Sequence, residues 1–348
     1  MQIYSSFSHI VSKHIILMLK VGLLGAGRIG TVHAKIIQSH IGSQLCAVAD
    51  VMQESANGLA ALCSCAARSV EQIIEDPDID AVLIATATHT HSDLIESATA
   101  AGKAVLCEKP VDLNLKRARS CLATVDSRNT PVMIGFNRRF DTSFAALKAA
   151  SEAGEIGKSE LLSITSYDPA APPPSYVKVS GGLFRDMMIH DFDIANFIMG
   201  ELPVSVTAIG SSLIDSAIGD AGDVDTAVAT LRYTDGRIAV IKNSRRAAYG
   251  YDQRIELLGS EGLLQVNNVP ENMLVRSNDR GVNAAKPTYF FLERYQQAYE
   301  AEWAAFYQAV VNNEVPPVTL EDGVAALTVA EAATLSLQSD QPINPASL

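Results

Sequence analysis

The chain has 348 residues, 48% of them apolar and 19% charged, with a formal net charge of -12. That length supports two domains with substantial cores, and the composition lies far from that of disordered segments. An acidic surface repels phosphate backbones and anionic lipid, which sets nucleic acid and membrane surfaces aside as partners and leaves a neutral small molecule unaffected.

In chain order, the apolar run Ile15–Leu19 is stopped by Lys20 and is shorter than the about 20 residues that cross a bilayer. Residues 1–17 therefore read as a poorly ordered extension, with the fold beginning at Met18. The runs Leu19–Leu24, Gln44–Ala49, Ala81–Ala85, Ala104–Cys107 and Val132–Phe136 read as buried strands. Helical patterns at Ile29–Gln38, Ser55–Ala61, His91–Ala101 and Leu115–Ser127 separate them. Such alternation predicts an α/β fold whose N-terminal part, residues 18–135, is a doubly wound parallel sheet.

The pattern changes over residues 136–348. A helix at Ser143–Ala153, a strand near Glu160–Tyr167, a proline-bearing loop over Asp168–Ser180 and a helix at Leu183–Met199 come first. Strands follow at Val204–Ser212, Thr226–Tyr233, Arg237–Ser244, Gln253–Gly259 and Leu263–Asn267, with Asp235-Gly236 as a hairpin signal. Short turns between consecutive strands predict a largely antiparallel second sheet, closed by helices at Glu293–Val311 and Leu320–Leu337. The five cysteines are odd in number and several lie in apolar runs, which fits reduced thiols in a cytoplasmic, reducing compartment. Cys63 and Cys65 have no partner pair at zinc-ligand spacing, so no metal is expected.

Gly25-Ala26-Gly27-Arg28-Ile29-Gly30 is a G-x-G-x-x-G between a predicted strand and a predicted helix. Gly25 permits the tight turn, Gly27 lets the backbone approach a pyrophosphate, Gly30 lets the helix pack closely, and the helix N-terminus offers amides to the anion. Asp50 closes the next strand twenty residues after Gly30, where an acid reads a ribose 2′-hydroxyl. A carboxylate there repels a 2′-phosphate, so NAD is the expected cofactor. Thr86 and the turn Glu108-Lys109-Pro110 also sit at strand ends on the ligand side and are expected to line the cofactor, with Lys109 able to donate to an alkoxide.

In the segment from Gly181 to Asn196 most positions are large and apolar, and the polar residues Asp186, His190, Asp193 and Asn196 share one helical face. A histidine framed by carboxylates four before and three after has the makings of a general base. The alternative, a solvated helix face, would be expected to carry Lys or Glu.

Together the glycine fingerprint, Glu108-Lys109-Pro110, the run Gly135–Asp141 and Asp186-x-x-x-His190 resemble the glucose-fructose oxidoreductase/inositol dehydrogenase/rhizopine catabolism (Gfo/Idh/MocA) family over residues 19–337. The stretches Val177–Phe184, the helix after it, Asn243–Arg246 and Tyr249–Arg254 are similar to its bacterial inositol 2-dehydrogenase branch. The resemblance implies a Rossmann domain, then an α/β domain with an open, mostly antiparallel sheet through which a tetramer packs. It also implies hydride transfer from a ring hydroxyl of inositol to NAD, with Lys109, Asp186 and His190 catalytic, and with Asn137, Arg138, Asp168 and Tyr249 lining the polyol pocket. Tyr167 stands where the family leads one to expect arginine. The alternatives are a dehydrogenase of scyllo-inositol or an aldose, and a catalytically silent dinucleotide-binding regulator. Retention of Lys109, Asp186 and His190 speaks against the last.

Overall fold

The computed structural model describes residues 17–128 and 130–348, so the expected extension, Leu17 apart, lies outside the described residues. The first half runs β1 (Leu19–Leu24), α1 (Arg28–Ser39), β2 (Ser43–Ala49), α2 (Gln53–Leu62), β3 (Ala66–Ala67), α3 (Val70–Glu75), β4 (Ala81–Ile84), α4 (His91–Ala100), β5 (Ala104–Glu108), α5 (Leu115–Asp126) and β6 (Val132–Gly135). The strands are all parallel in the order β3-β2-β1-β4-β5-β6. Every residue of β4, β5 and β6 is buried, as strands covered on both faces require. The strand order reverses between β1 and β4, which opens a crevice at their carboxyl ends. Two elements were not apparent in the sequence. Strand β3 is only two alanines, too short to make a hydrophobic run. Helix α3 is only six residues, too short for a helical period to show, and is closed at its start by a Ser69–Gln72 capping box.

The second half runs α6 (Thr142–Glu152), β7 (Ser159–Tyr167), α7 (Pro174–Ser180), α8 (Gly182–Asp186), α9 (Ile189–Met199), β8 (Ser205–Ser211), α10 (Ser216–Asp220), β9 (Thr226–Arg232), β10 (Ile238–Ser244), β11 (Asp252–Gly259), β12 (Gly262–Val266), β13 (Val275–Asn278), β14 (Gly281–Ala284), α11 (Phe291–Asn312) and α12 (Leu320–Ser339). Its large sheet has the order β12-β11-β7-β10-β9-β8, antiparallel except for the central β7–β10 pair. Alternation along the strands is clean: Ile255 and Leu257 are buried against the helices, while Arg254 and Glu256 face outward. One face is thus covered by α9 and α12 and the other is open. Gly236, at φ +93°, turns the β9–β10 hairpin as Asp235-Gly236 leads one to expect.

The single helix expected over Leu183–Met199 is two. Helix α8 ends at Asp186, Met187 takes φ -104° and ψ -58°, and the amides of Met187 and Met188 both donate to the Leu183 carbonyl. Helix α9 then starts at Ile189. An i, i+4 spacing no longer stacks Asp186 beneath His190.

Helix α11 follows the second sheet in the chain, yet Tyr295, Trp303 and Phe306 are buried in the core of the first. Trp303 Nε1 donates to Ser43 Oγ at 3.0 Å, and the Tyr307 hydroxyl donates to the Leu17 carbonyl at 2.8 Å. Helix α12 serves both cores, Leu327 in one and Val329, Ala330 and Ala333 in the other. A division of the chain near residue 135 therefore does not divide the packing. Trp303→Ala should destabilise the protein by about 3–5 kcal/mol through the cavity it leaves. Denaturant unfolding checks this, and a loss below about 1 kcal/mol would mean that α11 is not part of the cooperative unit.

Candidate active site

The cofactor cradle is made by three glycines with different jobs. Gly25 has φ +106°, and a Cβ there would overlap the Ala85 carbonyl; a Cβ on Gly30 would overlap the Gly25 carbonyl. Both must be bare for the protein's own packing. Gly27 has nothing within 4 Å of a Cβ, so the protein itself leaves that space open. Helix α1 begins beside it with no side-chain cap, leaving first-turn amides free for an anion. A dinucleotide pyrophosphate fits this arrangement, with Gly27, Arg28 and Ile29 at its side. Asp50 is held at the end of β2, its Oδ2 accepting from the Ala26 amide at 2.7 Å and its Oδ1 from the Met52 amide at 2.8 Å. Thr86 turns out of β4, its hydroxyl bonded to that of Thr90 at 2.7 Å. Glu108 departs from expectation: its carboxylate is buried against His33 Nε2 at 2.8 Å, tying β5 to α1 and turning away from the crevice.

Lys109 leaves the end of β5 and crosses to the second half. Its Nζ donates to the Asp186 carbonyl at 2.8 Å and lies 3.8 Å from Asp186 Oδ1. Asp186 is gathered by two further donors, Arg245 Nη2 on Oδ2 at 3.2 Å and the Tyr176 hydroxyl on Oδ1 at 2.9 Å. His190 lies in the first turn of α9 with Nδ1 buried and without a partner among the described residues, its ring edge-on to Phe136. Burial, with the cations of Lys109 and Arg138 nearby, holds its pKa well below the usual histidine value. The imidazole is therefore neutral at neutral pH and able to take a proton. Among the described residues neither carboxylate bonds His190, because each is engaged elsewhere. Asp186 bonds Tyr176 and Arg245, and Asp193 pairs bidentately with Arg139.

Asn137 is buried, with Nδ2 unpartnered among the described residues. Asp168 has its carboxyl pushed up to about 6 by burial, against the opposing pull of Arg245 and Arg138. Two pocket expectations are corrected. Arg138 is committed internally, to Asp191 Oδ1 at 2.6 Å, Ser166 Oγ and the Tyr251 hydroxyl, because Asp191 is buried beneath it. Tyr249 bonds Asp252. In the β7–β11 register Asp252 sits opposite Tyr167, one residue on from the Ser166–Gln253 pair that faces α9. Tyr249, Asp252 and Tyr167 thus gather on the open side of the sheet, away from Lys109 and His190. Tyr176 and Arg245 join the site without a sequence expectation for either. Arg245 lies just past β10 within a stretch that carries the resemblance, whereas nothing local marks Tyr176.

Residues 19–136 match the oxidoreductase family described as an NAD-binding Rossmann fold, and residues 144–265 match its GFO/IDH/MocA C-terminal domain. The chain belongs to the GFO/IDH/MocA oxidoreductase family. It is 47% identical to the inositol 2-dehydrogenase of Rhizobium meliloti (strain 1021), over 94% of this chain and 99% of that one. It is 44% identical to the myo-inositol 2-dehydrogenase of Thermotoga maritima, over 93% and 98%. The scyllo-inositol dehydrogenase of Lactobacillus casei, solved with bound NAD(H) and scyllo-inositol, superposes with a TM-score of 0.88 at 31% identity, covering 94% of this chain and 99% of that one. Among the described residues no helix is long and apolar enough to cross a membrane.

Gly27→Ala tests the cradle without disturbing the fold. Thermal melting should stay within a few degrees of the parent while NAD affinity falls by about tenfold or more, read by NADH fluorescence titration. Unchanged affinity would place the pyrophosphate elsewhere.

Proposed function

We propose that this protein is an NAD-dependent inositol 2-dehydrogenase, oxidising a ring hydroxyl of myo-inositol to the 2-keto product. The observation that best supports the reading is the approach of Lys109, Asp186 and His190, from two halves of the chain, at the carboxyl ends of the parallel sheet. Lys109, fixed by the Asp186 carbonyl, donates to the reacting oxygen and stabilises alkoxide character there. His190, neutral in its buried setting, takes the hydroxyl proton. The Asp186 carboxylate accepts from a ring hydroxyl, while Asn137 and Asp168 offer one donor and one acceptor group to the others. NAD, when bound, supplies the acceptor for the hydride leaving the ring carbon. Asp50 would hold the adenosine ribose, and Thr86 and the Lys109 turn would border the nicotinamide end.

The enzyme is further proposed to be cytoplasmic and to assemble as a homotetramer through the open faces of the second sheets. All five cysteines are free thiols, in keeping with a reducing compartment. The open face presents Ile209, Ile238 and Leu263 to solvent between polar neighbours, a surface suited to a partner sheet. Val240→Asp, in the middle of that face, should lower the mass seen by light scattering to that of a smaller species; an unchanged mass would move the interface elsewhere.

His190→Ala should lower kcat by about 10²–10⁴ and leave NADH binding intact, and an equal loss of both would make His190 structural. The direct assay is NADH formation with myo-inositol beside scyllo-inositol and glucose. Because the His190 pKa is lowered, its base form persists below pH 6.5, and Asp168 becomes protonated near 6. Log kcat/KM should therefore stay level down to about pH 6 and fall below it, with the limb moving to lower pH in Asp168→Asn. A midpoint at or above 6.5 in the parent would indicate a solvated imidazole.

A further inference from the structure

Tyr176 comes from the proline-bearing segment between β7 and the Asp186 helix, and nothing in the reaction described above uses it. Its segment is built to stay put. Pro172, Pro173 and Pro174 stiffen the approach to α7, and Val177 and Ser180 are buried beneath it. On the far side Gly181 and Gly182 both adopt left-handed backbone, at φ +86° and +84°, and the Leu183 amide is held by both oxygens of Asp223 at 3.0 and 3.1 Å. The Tyr176 residue as a whole is 45% exposed, yet its hydroxyl points inward to Asp186 Oδ1, the same oxygen that Lys109 Nζ approaches.

That hydrogen bond fixes what the phenol can offer. Burial, reinforced by the Asp186 charge, pushes its pKa up, so the proton stays on the hydroxyl and stays directed at the carboxylate. The oxygen retains acceptor capacity, and among the described residues no side chain or amide donates to it. Donation to an anion also polarises the O–H bond and strengthens that oxygen as an acceptor. The result is an acceptor-only group at the edge of the cleft, one hydrogen bond from the carboxylate assigned to the substrate.

We propose that Tyr176 is a substrate-contacting specificity residue, whose oxygen accepts a hydrogen bond from a ring hydroxyl of the polyol next to the one engaged by Asp186. The proposal rests on the polyol dehydrogenase reading and deepens it. A group that only accepts favours a ring position that bears a hydroxyl over one that has lost it. Because Tyr176 does not touch the reacting carbon in this account, it acts on binding rather than on the chemical step.

The test uses the full-length enzyme. Parent protein is first assayed for NADH formation with myo-inositol; no activity with any polyol would overturn the dehydrogenase reading itself, whatever Tyr176 does. Given activity, Tyr176→Phe should raise the KM for myo-inositol by about tenfold, keep kcat within about twofold and leave the NADH dissociation constant unchanged. Parent and variant are then compared on the set of monodeoxy inositols. The ratio of their kcat/KM values should fall to about one for the single analogue lacking the contacted hydroxyl and stay near ten for the others. Equal ratios across the whole set, or an unchanged KM, would overturn the proposal. If the phenylalanine variant also melts early, Tyr176→Gln, which keeps a donor and an acceptor, decides: recovery of KM supports a hydroxyl contact, and no recovery in a stable protein refutes it.

Discussion

One lysine joins the two halves of this molecule at the point where chemistry is possible. Lys109 stands at the end of a strand of the parallel sheet and spends its ammonium on the carbonyl and carboxylate of Asp186, which belongs to the helices of the other sheet. Without that bridge the proposed cofactor and substrate walls of the crevice would share no floor. Arg245, from the end of β10, and Tyr176, from the proline-bearing segment, close on the same carboxylate, so three elements converge on one residue. The arrangement leaves His190 as the uncharged member among cations, free to accept a proton in the role proposed for it.

Under this floor lies a layer of buried charge whose role is placement. Asp191 accepts from Arg138, Ser166 and Asn243, and Asp193 holds Arg139, which also reaches Asp322 on α12. Arg294 on α11 pairs with Asp141 at the start of α6. Buried pairs of this kind contribute little net stability compared with apolar packing, yet losing one partner is costly. Their value here is that each links a helix to a different element, so the angle of α9, and with it the position of His190, is specified from several sides. The shared core contributes in the same sense, with α11 returning to the first sheet and α12 packing on both.

The glycine fingerprint shows how local and distant demands are separated within six residues. Gly25 and Gly30 are required by the chain's own backbone contacts, whereas at Gly27 a side chain would meet no protein atom. Its bareness therefore answers to the ligand. Glu108 makes the opposite case: it sits in a turn that reads as ligand-facing, but the alternation of β5 sends its carboxylate inward to His33.

The chain by itself determined both sheets, nearly every long helix, the cofactor cradle, and Lys109, Asp186 and His190 as the residues on which chemistry is proposed. Those features are legible because hydrophobic periodicity and glycine chemistry act over a few residues. The tertiary structure alone decided which polar groups face the cleft. Arg138 and Asp193 carry the residue types of a site and are consumed by internal ion pairs, Tyr249 lies across the sheet, and Tyr176 enters from a segment with no local mark of function. The physical reason is that a side chain's partner is set by where distant backbone comes to rest. Here a two-residue break at Met187–Met188 was enough to take Asp186 out of the helix that carries His190, Asp193 and Asn196.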